Sequence, residues 1–245
     1  HPNPSTRGCP FDCGPCQWHS GRLHVSIVSV GGQGDFTSLA LATENAPSEV
    51  VYRSPEQIRA AVAMIIERTG GVPSISLQGG EPADHPRFFD VLEACRHERI
   101  GCIIVHTDGL RITREGGFAD KLKGAGVSID LSVDTFIPER SRDIHGKDIT
   151  SEKQEALAIL EQLDVPTSVR VVCIKGVNED ELAPITLTYL KKRFVKAITI
   201  ETHPVSDTKV GQVGEHARLT VDDLEYLLTS KQEFSKVDFF SLSTY

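Results

Sequence analysis

Three of the six cysteines lie within a single short segment near the start of the chain, as Cys9, Cys13 and Cys16. Their C-x3-C-x2-C spacing places three thiolates on one tight loop, where they can ligate three irons of a [4Fe–4S] cluster and leave the fourth iron open to another ligand. A structural zinc site with His19 as its fourth ligand is the competing interpretation, although zinc sites more often show C-x2-C pairs. The spacing favours the iron–sulfur cluster.

A second group of polar residues comes at the ends of predicted strands. The segments are Gly79-Gly80-Glu81-Pro82, His106-Thr107-Asp108-Gly109, Ser132-Val133-Asp134, Lys175-Gly176-Val177-Asn178 and Glu201-Thr202-His203. Glycines let a ligand approach the backbone closely, and Glu81 presents a carboxylate that can hold a ligand ammonium. His106 and His203 are candidate acid–base groups, or histidines satisfied by structural hydrogen bonds. Active sites of α/β barrels lie at this end of the strands.

Apolar, β-branched runs alternate with helical spacing through the middle of the chain. The predicted strands are His24–Val30, Ser74–Gln78, Cys102–Thr107, Ser128–Asp134, Ser168–Ile174 and Ala197–Glu201. Because six strand–helix units follow one another without a break in composition, the sequence predicts an α/β fold, a partial (β/α)6 TIM-like barrel with parallel strands.

The clearest predicted helix begins after Ser54, with Pro55 in the first turn and Gln57 at the capping-box position, and it ends at Gly70. The other predicted helices are Pro86–Glu98, Phe118–Gly124, Glu152–Leu163, Glu179–Arg193 and Val221–Lys231. The charged segment from Arg140 to Lys147 is predicted to be a loop, either solvated or covering an anionic ligand.

Side chains alternate between the two faces of a strand, and here one face is polar. Ser128, Asp130 and Ser132 share a face, as do Thr199 and Glu201. We expect these faces to line a wide, hydrophilic lumen, with Asp130 or Glu201 protonated or paired with Arg170 on the adjacent strand. The alternative is a one-sided sheet whose polar face meets solvent.

Composition narrows the class of protein. The 245 residues carry a formal net charge of −8, which argues against nucleic acid as the main partner. No apolar run approaches the ~18–20 residues of a membrane span, and no leader segment is evident, so neither a membrane nor a secretory protein is expected. Sparse but clustered thiols indicate a metal site in a reducing compartment, which predicts a cytoplasmic location. Cys95, Cys102 and Cys173 are expected to be structural.

These motifs together resemble the radical S-adenosylmethionine (SAM) superfamily, and the cysteine segment before the first predicted strand resembles the branch of the 7,8-dihydro-6-hydroxymethylpterin methylases. The resemblance implies a [4Fe–4S] cluster on Cys9, Cys13 and Cys16 whose unique iron binds SAM. It also implies cleavage of SAM to methionine and a 5′-deoxyadenosyl radical that abstracts a hydrogen from the substrate.

The same resemblance implies the residues that bind SAM. Gly79, Gly80 and Glu81 are expected to hold its methionine moiety, and Asp108 follows the next strand as part of the same site. Ser132, Asp134 and Asn178 are expected near the ribose and adenine. Residues 1–22 then form a cysteine-containing extension, and residues 23–245 form the barrel.

One departure from the family pattern concerns the loop after the first predicted strand. The family carries its SAM-binding cysteines there, whereas this chain has Gly34, Ser38 and Leu41 at the corresponding positions, and none of these residues supplies a thiolate. Either Cys9, Cys13 and Cys16 hold the catalytic cluster, or they hold an auxiliary cluster, or its empty remnant, on a barrel without its radical-generating centre.

Three functions follow from these alternatives. The first is a methylase or hydrogen-abstracting enzyme that acts on a small polar substrate, with a ferredoxin or flavodoxin as electron donor. The second is a catalytically silent scaffold or binding protein. The third is a zinc-stapled barrel enzyme.

Overall fold

The computed structural model describes residues 38–40, 42–46, 49–78, 81–202 and 219–230, with the backbone alone for those before Tyr52 and for Val221. The strands are β1 (Ser38–Ala40), β2 (Ala42–Ala46), β3 (Glu49–Tyr52), β4 (Val72–Gln78), β5 (Ile100–Thr107), β6 (Ser128–Ser132), β7 (Thr167–Cys173) and β8 (Val195–Thr202). The helices are α1 (Pro55–Thr69), α2 (Phe88–Ala94), α3 (Leu110–Arg114), α4 (Phe118–Ala125), α5 (Pro138–His145), α6 (Thr150–Gln162), α7 (Leu182–Leu190) and α8 (Val221–Thr229). Short 3-10 turns cover Pro82–Asp84 and Glu179–Glu181.

Six of the strands form one parallel sheet in the order β1-β4-β5-β6-β7-β8. The parallel strands curl into a half-barrel with helices against it. Strands β2 and β3 pair separately and run antiparallel. The predicted partial parallel barrel is therefore confirmed, whereas the proposed boundary between residues 22 and 23 lies outside the described residues.

Burial alternates along the strands. In β7, Val169 and Val171 are buried under the helices, while Ser168 and Arg170 on the opposite face are partly accessible. This pattern confirms the predicted division into an apolar and a polar face. Because the apolar face packs against the helices outside the half-barrel, the polar face is the concave one, and we refer to the space it lines as the lumen.

Local signals predict helix α1 closely. The Ser54 side chain accepts from the Gln57 amide, Gln57 accepts from the Ser54 amide, and Gly70 ends the helix in the left-handed conformation. Its inward face buries Ile58, Val62, Ile65 and Ile66.

The start of the sheet differs from the prediction. The predicted first strand, His24–Val30, lies outside the described residues, as do Gly34 and Leu41. The sequence predicts a loop at Ser38, but this residue belongs to edge strand β1, where it lies opposite Ser76 of β4. This strand is only three residues long and forms by backbone pairing to β4, so it has no alternating pattern from which it could be predicted.

The predicted loop from Arg140 to Lys147 is also wrong, because most of it is helix α5. The Arg140 guanidinium is held by carboxylates of the chain itself, donating to Asp180 at 2.7 Å and to Glu181 at 2.9 Å. Arg142 pairs with Glu139 within the same helix. Most positions of this helix are polar or charged, so the few that pack against the barrel, such as Ile144, do not give a recognisable apolar stripe in the sequence.

The cysteines outside the N-terminal motif agree with the prediction of structural roles. Cys95 and Cys173 are buried, and burial raises the pKa of each thiol to about 12. Cys102 is partly buried on β5, and all three are free thiols. Among the helices described, none is long and apolar enough to cross a membrane.

Candidate functional site

Glu81 ties the carboxyl ends of β4 and β5 together. Its Oε1 accepts from the Ala83 amide at 3.0 Å and from the Thr107 hydroxyl at 2.7 Å, and its Oε2 accepts from the Asp108 amide at 2.6 Å. The side chain is buried, and burial together with the neighbouring Asp108 carboxylate raises its pKa well above the usual range. Each oxygen has a protein donor, so the Glu81 carboxylate positions this turn, while Oε2 accepts only one hydrogen bond and the expected contact of Glu81 with the methionine moiety of SAM stays a prediction.

Asp108 lies beside this turn and retains an unused oxygen. Its Oδ1 accepts from the Leu110 amide at 2.8 Å at the start of α3, whereas its Oδ2 is buried without a hydrogen-bond partner. The next residue must be glycine, because a Cβ on Gly109 would lie 2.5 Å from Leu131 and its φ is +81°. The chain therefore turns tightly here and holds Asp108 beside the Glu81 turn.

Lys153 of α6 is a residue of this site that sequence reasoning missed. Its ammonium donates to the Asp108 carbonyl at 2.6 Å and to the Ser132 hydroxyl at 2.9 Å, which links the ends of β5 and β6. The residue is only 4% exposed. The sequence does contain a signal for this burial, because Lys153 lies on the apolar stripe of α6 with Ala156, Leu157 and Leu160.

Asp134 and Asn178 come together, as their predicted shared site requires. The Asn178 amide donates to the Asp134 carbonyl at 2.7 Å, and Asp134 Oδ1 accepts from the Val172 amide at 2.8 Å. His145 Nε2 lies 3.3 Å from Asp134 Oδ2. The Asp134 and Asn178 side chains are both buried and joined to the ends of β6 and β7, so they fix the backbone there, and their expected place near the ribose and adenine of SAM stays a prediction.

A cluster of polar side chains lines the lumen across neighbouring strands. We call it the lumen cluster; its members are Gln78 of β4, His106 of β5, Asp130 of β6, Arg170 of β7 and Glu201 of β8. Arg170 donates to Asp130 Oδ2 at 2.6 Å, and its Nε lies 3.6 Å from Glu201 Oε1. The predicted pairing of Arg170 with the lumen carboxylates is therefore confirmed.

His106 joins the lumen cluster through both ring nitrogens. Its Nδ1 contacts Arg170 and lies 3.3 Å from Asp130 Oδ2, and its Nε2 lies 3.2 Å from the Gln78 amide. Burial and the nearby Glu201 carboxylate raise the pKa of Asp130 to about 7, while the hydrogen bond from Arg170 opposes that shift.

Several predicted site residues cannot be placed. The glycines of the Gly-Gly-Glu motif, the histidine at the end of the last strand and the cysteine motif lie outside the described residues: Gly79, Gly80, His203, Cys9, Cys13 and Cys16. Their roles stay predictions. Within the described ranges, no group of three or more His, Cys, Asp and Glu side chains is arranged to hold a metal ion.

The model of the radical SAM superfamily matches residues 3–187. The chain is 25% identical over 242 residues to the 7,8-dihydro-6-hydroxymethylpterin dimethyltransferase of Methanocaldococcus jannaschii, covering 95% of this chain and 47% of that protein. It is 31% identical over 143 residues to the GTP 3′,8-cyclase of Syntrophomonas wolfei, covering 56% of this chain and 42% of the cyclase. The chain thus spans about half the length of these curated relatives.

Solved structures share the fold. Streptococcus suis SuiB bound to S-adenosylmethionine superposes with a TM-score of 0.64 at 13% identity, covering 94% of this chain and 47% of SuiB. Native anSMEcpe with bound AdoMet gives a TM-score of 0.57 at 18% identity, covering 94% of this chain and 58% of that protein. The cofactors of the family are a [4Fe–4S] cluster and SAM. With a half-barrel of this kind and a family model that matches most of its length, the chain belongs to the radical SAM superfamily.

Proposed function

We propose that this chain is the barrel of an enzyme that uses SAM to methylate, or to abstract hydrogen from, a small polar substrate held in the lumen. The observation that carries the proposal is the polar concave face, on which Asp130, Arg170 and Glu201 line the lumen of a radical SAM barrel. A barrel with no ligand in its lumen would have no need for charged groups there, because burying them costs free energy.

The residues at the strand ends are suited to hold SAM. Asp108 Oδ2 is a buried oxygen with an unused lone pair, and the Ser132 hydroxyl is held by Lys153 while its own hydrogen stays available to a ligand. Glu81, Asp134 and Asn178 would act by holding the surrounding backbone. Bound SAM would supply the methyl group or the adenosyl radical of the reaction.

The cluster is assigned to Cys9, Cys13 and Cys16 within the 1–22 extension. This assignment rests on their C-x3-C-x2-C spacing, which suits three irons of a [4Fe–4S] cluster. An active enzyme would also need an electron donor, for which a ferredoxin or flavodoxin is proposed.

A catalytically silent scaffold is the second candidate, favoured by a specific observation. The resemblance to the family places a cluster cysteine at the position of Ser38, where a serine supplies no thiolate, and the backbone of Ser38 is part of edge strand β1. In this alternative the cysteine motif holds an auxiliary cluster, zinc or nothing, and the lumen binds its ligand without turnover.

Anaerobic reconstitution of the whole chain separates these candidates. We expect about four irons per chain, a SAM-dependent change in the EPR spectrum of the reduced protein, and formation of 5′-deoxyadenosine under strong reductant. Cys13→Ala should abolish all three, while the matched control Cys102→Ala, on β5, should retain them. A cluster that ignores SAM would support the scaffold, and zinc in place of iron and sulfide would support the zinc-stapled enzyme.

A further inference from the structure

Arg170 lies between two carboxylates of the lumen cluster. Its Nη2 donates to Asp130 Oδ2 at 2.6 Å, whereas its Nε lies 3.6 Å from Glu201 Oε1, which is too long for a hydrogen bond. The Nε is buried and has no other hydrogen-bond partner. One cation therefore faces two anions and forms a full hydrogen bond with only one of them.

The two carboxylates differ in their exposure to water. The Asp130 side chain is 10% exposed and that of Glu201 is 40% exposed. A buried carboxylate depends more strongly on its cation, because water can solvate an exposed carboxylate in place of a cation. Ionised Asp130 therefore holds Arg170 against the competition of Glu201.

His106 shares the Asp130 oxygen that binds Arg170. Its Nδ1 lies 3.3 Å from Asp130 Oδ2 and also contacts Arg170. A proton on Asp130 removes the charge that binds the guanidinium, and a proton on His106 places a second cation beside Arg170 on the same carboxylate. Either proton therefore weakens the contact of Arg170 with Asp130 and leaves Glu201 as its stronger partner.

The other polar groups around Arg170 offer it no competing anion. His106 of β5 contacts it directly, and Gln78 of β4, which is neutral, contacts His106. On β6, Ser132 lies opposite Arg170 in register and accepts from the Lys153 ammonium of α6. Among the described side chains around Arg170, the choice is therefore between the two carboxylates.

We infer that Arg170 is a proton-controlled switch of the lumen. With Asp130 and His106 unprotonated, Arg170 stays on Asp130 and leaves the Glu201 carboxylate open to a ligand; when this pair takes up a proton, Arg170 moves onto Glu201 and neutralises it. The movement is small, because Nε needs to approach Glu201 Oε1 by only about 0.7 Å to reach a normal hydrogen-bond length.

The switch gives the lumen a negative charge that a ligand can contact at high pH and removes that charge at low pH. Burial and the Glu201 carboxylate raise the pKa of Asp130 to about 7, so the change falls near neutral pH. The inference goes beyond the proposed function, because it depends on neither SAM nor the cluster.

Heteronuclear NMR of the whole chain follows the Arg170 Nε–H signal, which is assigned by its loss in Arg170→Lys. We expect the proton to move downfield between pH 8 and pH 5.5 as the hydrogen bond to Glu201 forms. Asp130→Asn should show the shifted position already at pH 8, because asparagine has no charge to hold Arg170. The matched control Asp143→Asn, at an exposed position of α5, should behave as the unaltered chain.

A double-mutant cycle of Arg170→Met and Glu201→Gln in urea unfolding measures the coupling of these two side chains. We expect the coupling, expressed as a ratio of folding equilibrium constants, to be about fivefold larger at pH 5.5 than at pH 8. In the Asp130→Asn background it should have the larger value at both pH values. Circular dichroism on each variant confirms that it is folded.

Three results would overturn the inference: an Nε–H signal that does not move with pH in the folded chain, an unshifted signal in Asp130→Asn at pH 8, or a coupling that is the same at both pH values. Loss of 5′-deoxyadenosine formation alongside a moving Arg170 signal would refute the proposed activity alone. Cleavage of SAM with a stationary signal would refute this inference alone.

Discussion

Two buried carboxylates of the half-barrel, Glu81 and Asp130, have opposite surroundings. Glu81 accepts three hydrogen bonds from neutral donors, and each of its oxygens has a partner. Asp130 binds a cation through one oxygen, while its Oδ1 is buried without a partner. A carboxylate with a partner on each oxygen fixes a turn, whereas one with an oxygen left unpaired marks a region where a ligand or a proton completes the hydrogen bonding.

The largest loss of stability is expected from Glu81→Ala. The variant leaves the Ala83 and Asp108 amides and the Thr107 hydroxyl without their acceptor in a buried turn, so we expect the free energy of unfolding to fall by about 3 kcal/mol. Urea unfolding measures this, with Glu67→Ala on the exposed face of α1 as control. A loss equal to that of the Glu67→Ala control would mean that the hydrogen bonds of Glu81 do not stabilise this turn.

Arg170→Met tests how far its cation stabilises the Asp130 carboxylate. Removing the guanidinium leaves Asp130 buried without its cation, and we expect a loss of about 2 kcal/mol at pH 8. The loss should be smaller at pH 5.5, because a protonated Asp130 needs no cation. Urea unfolding at the two pH values checks this, and an equal loss at both would show that Asp130 does not take up the proton.

Lys153→Met alters a residue that contacts Asp108, beside Glu81, and Ser132, on the strand that carries Asp130. The variant removes the donors to the Asp108 carbonyl and the Ser132 hydroxyl but fills a similar volume with an apolar chain, so we expect a loss of about 1.5 kcal/mol. SAM binding by calorimetry should weaken as well if Ser132 contacts SAM. Unchanged SAM affinity alongside reduced stability would confine Lys153 to a structural role.

The smallest effect concerns the pH dependence of stability. The pKa of Asp130 is raised to about 7 in the folded chain, so the folded state binds a proton that the unfolded state has released. The resulting stabilisation is present below the unfolded pKa of about 4 and is lost as the pH rises through about 7.

Asp130→Asn should remove this contribution. We expect the unaltered chain to lose about 1 kcal/mol more than the variant between pH 6 and pH 7 in urea unfolding, as a folded pKa of about 7 against an unfolded pKa of about 4 requires. A steeper loss in the variant would mean that Arg170 outweighs burial and that the pKa of Asp130 is lowered.

The sequence predicts best the elements whose stabilising contacts lie close together along the chain. Helix α1 was predicted nearly to the residue because Ser54, Gln57 and Gly70 act within a few positions of one another. Helix α5 was missed because its charges are balanced by Asp180 and Glu181, which are about forty positions away in the chain. Edge strand β1 was missed because it depends on pairing with β4.

The sequence by itself determined the parallel half-barrel, its polar concave face and the superfamily, because periodicity and motif spacing are properties of short segments. Only the tertiary structure decided the roles of individual polar groups. It showed Glu81 satisfied by the end of β5, Asp130 shared by Arg170 and His106, and Lys153 reaching two strands from a helix. The physical reason is that hydrogen-bond partners depend on the register between strands, and register is set by the packing of the whole sheet.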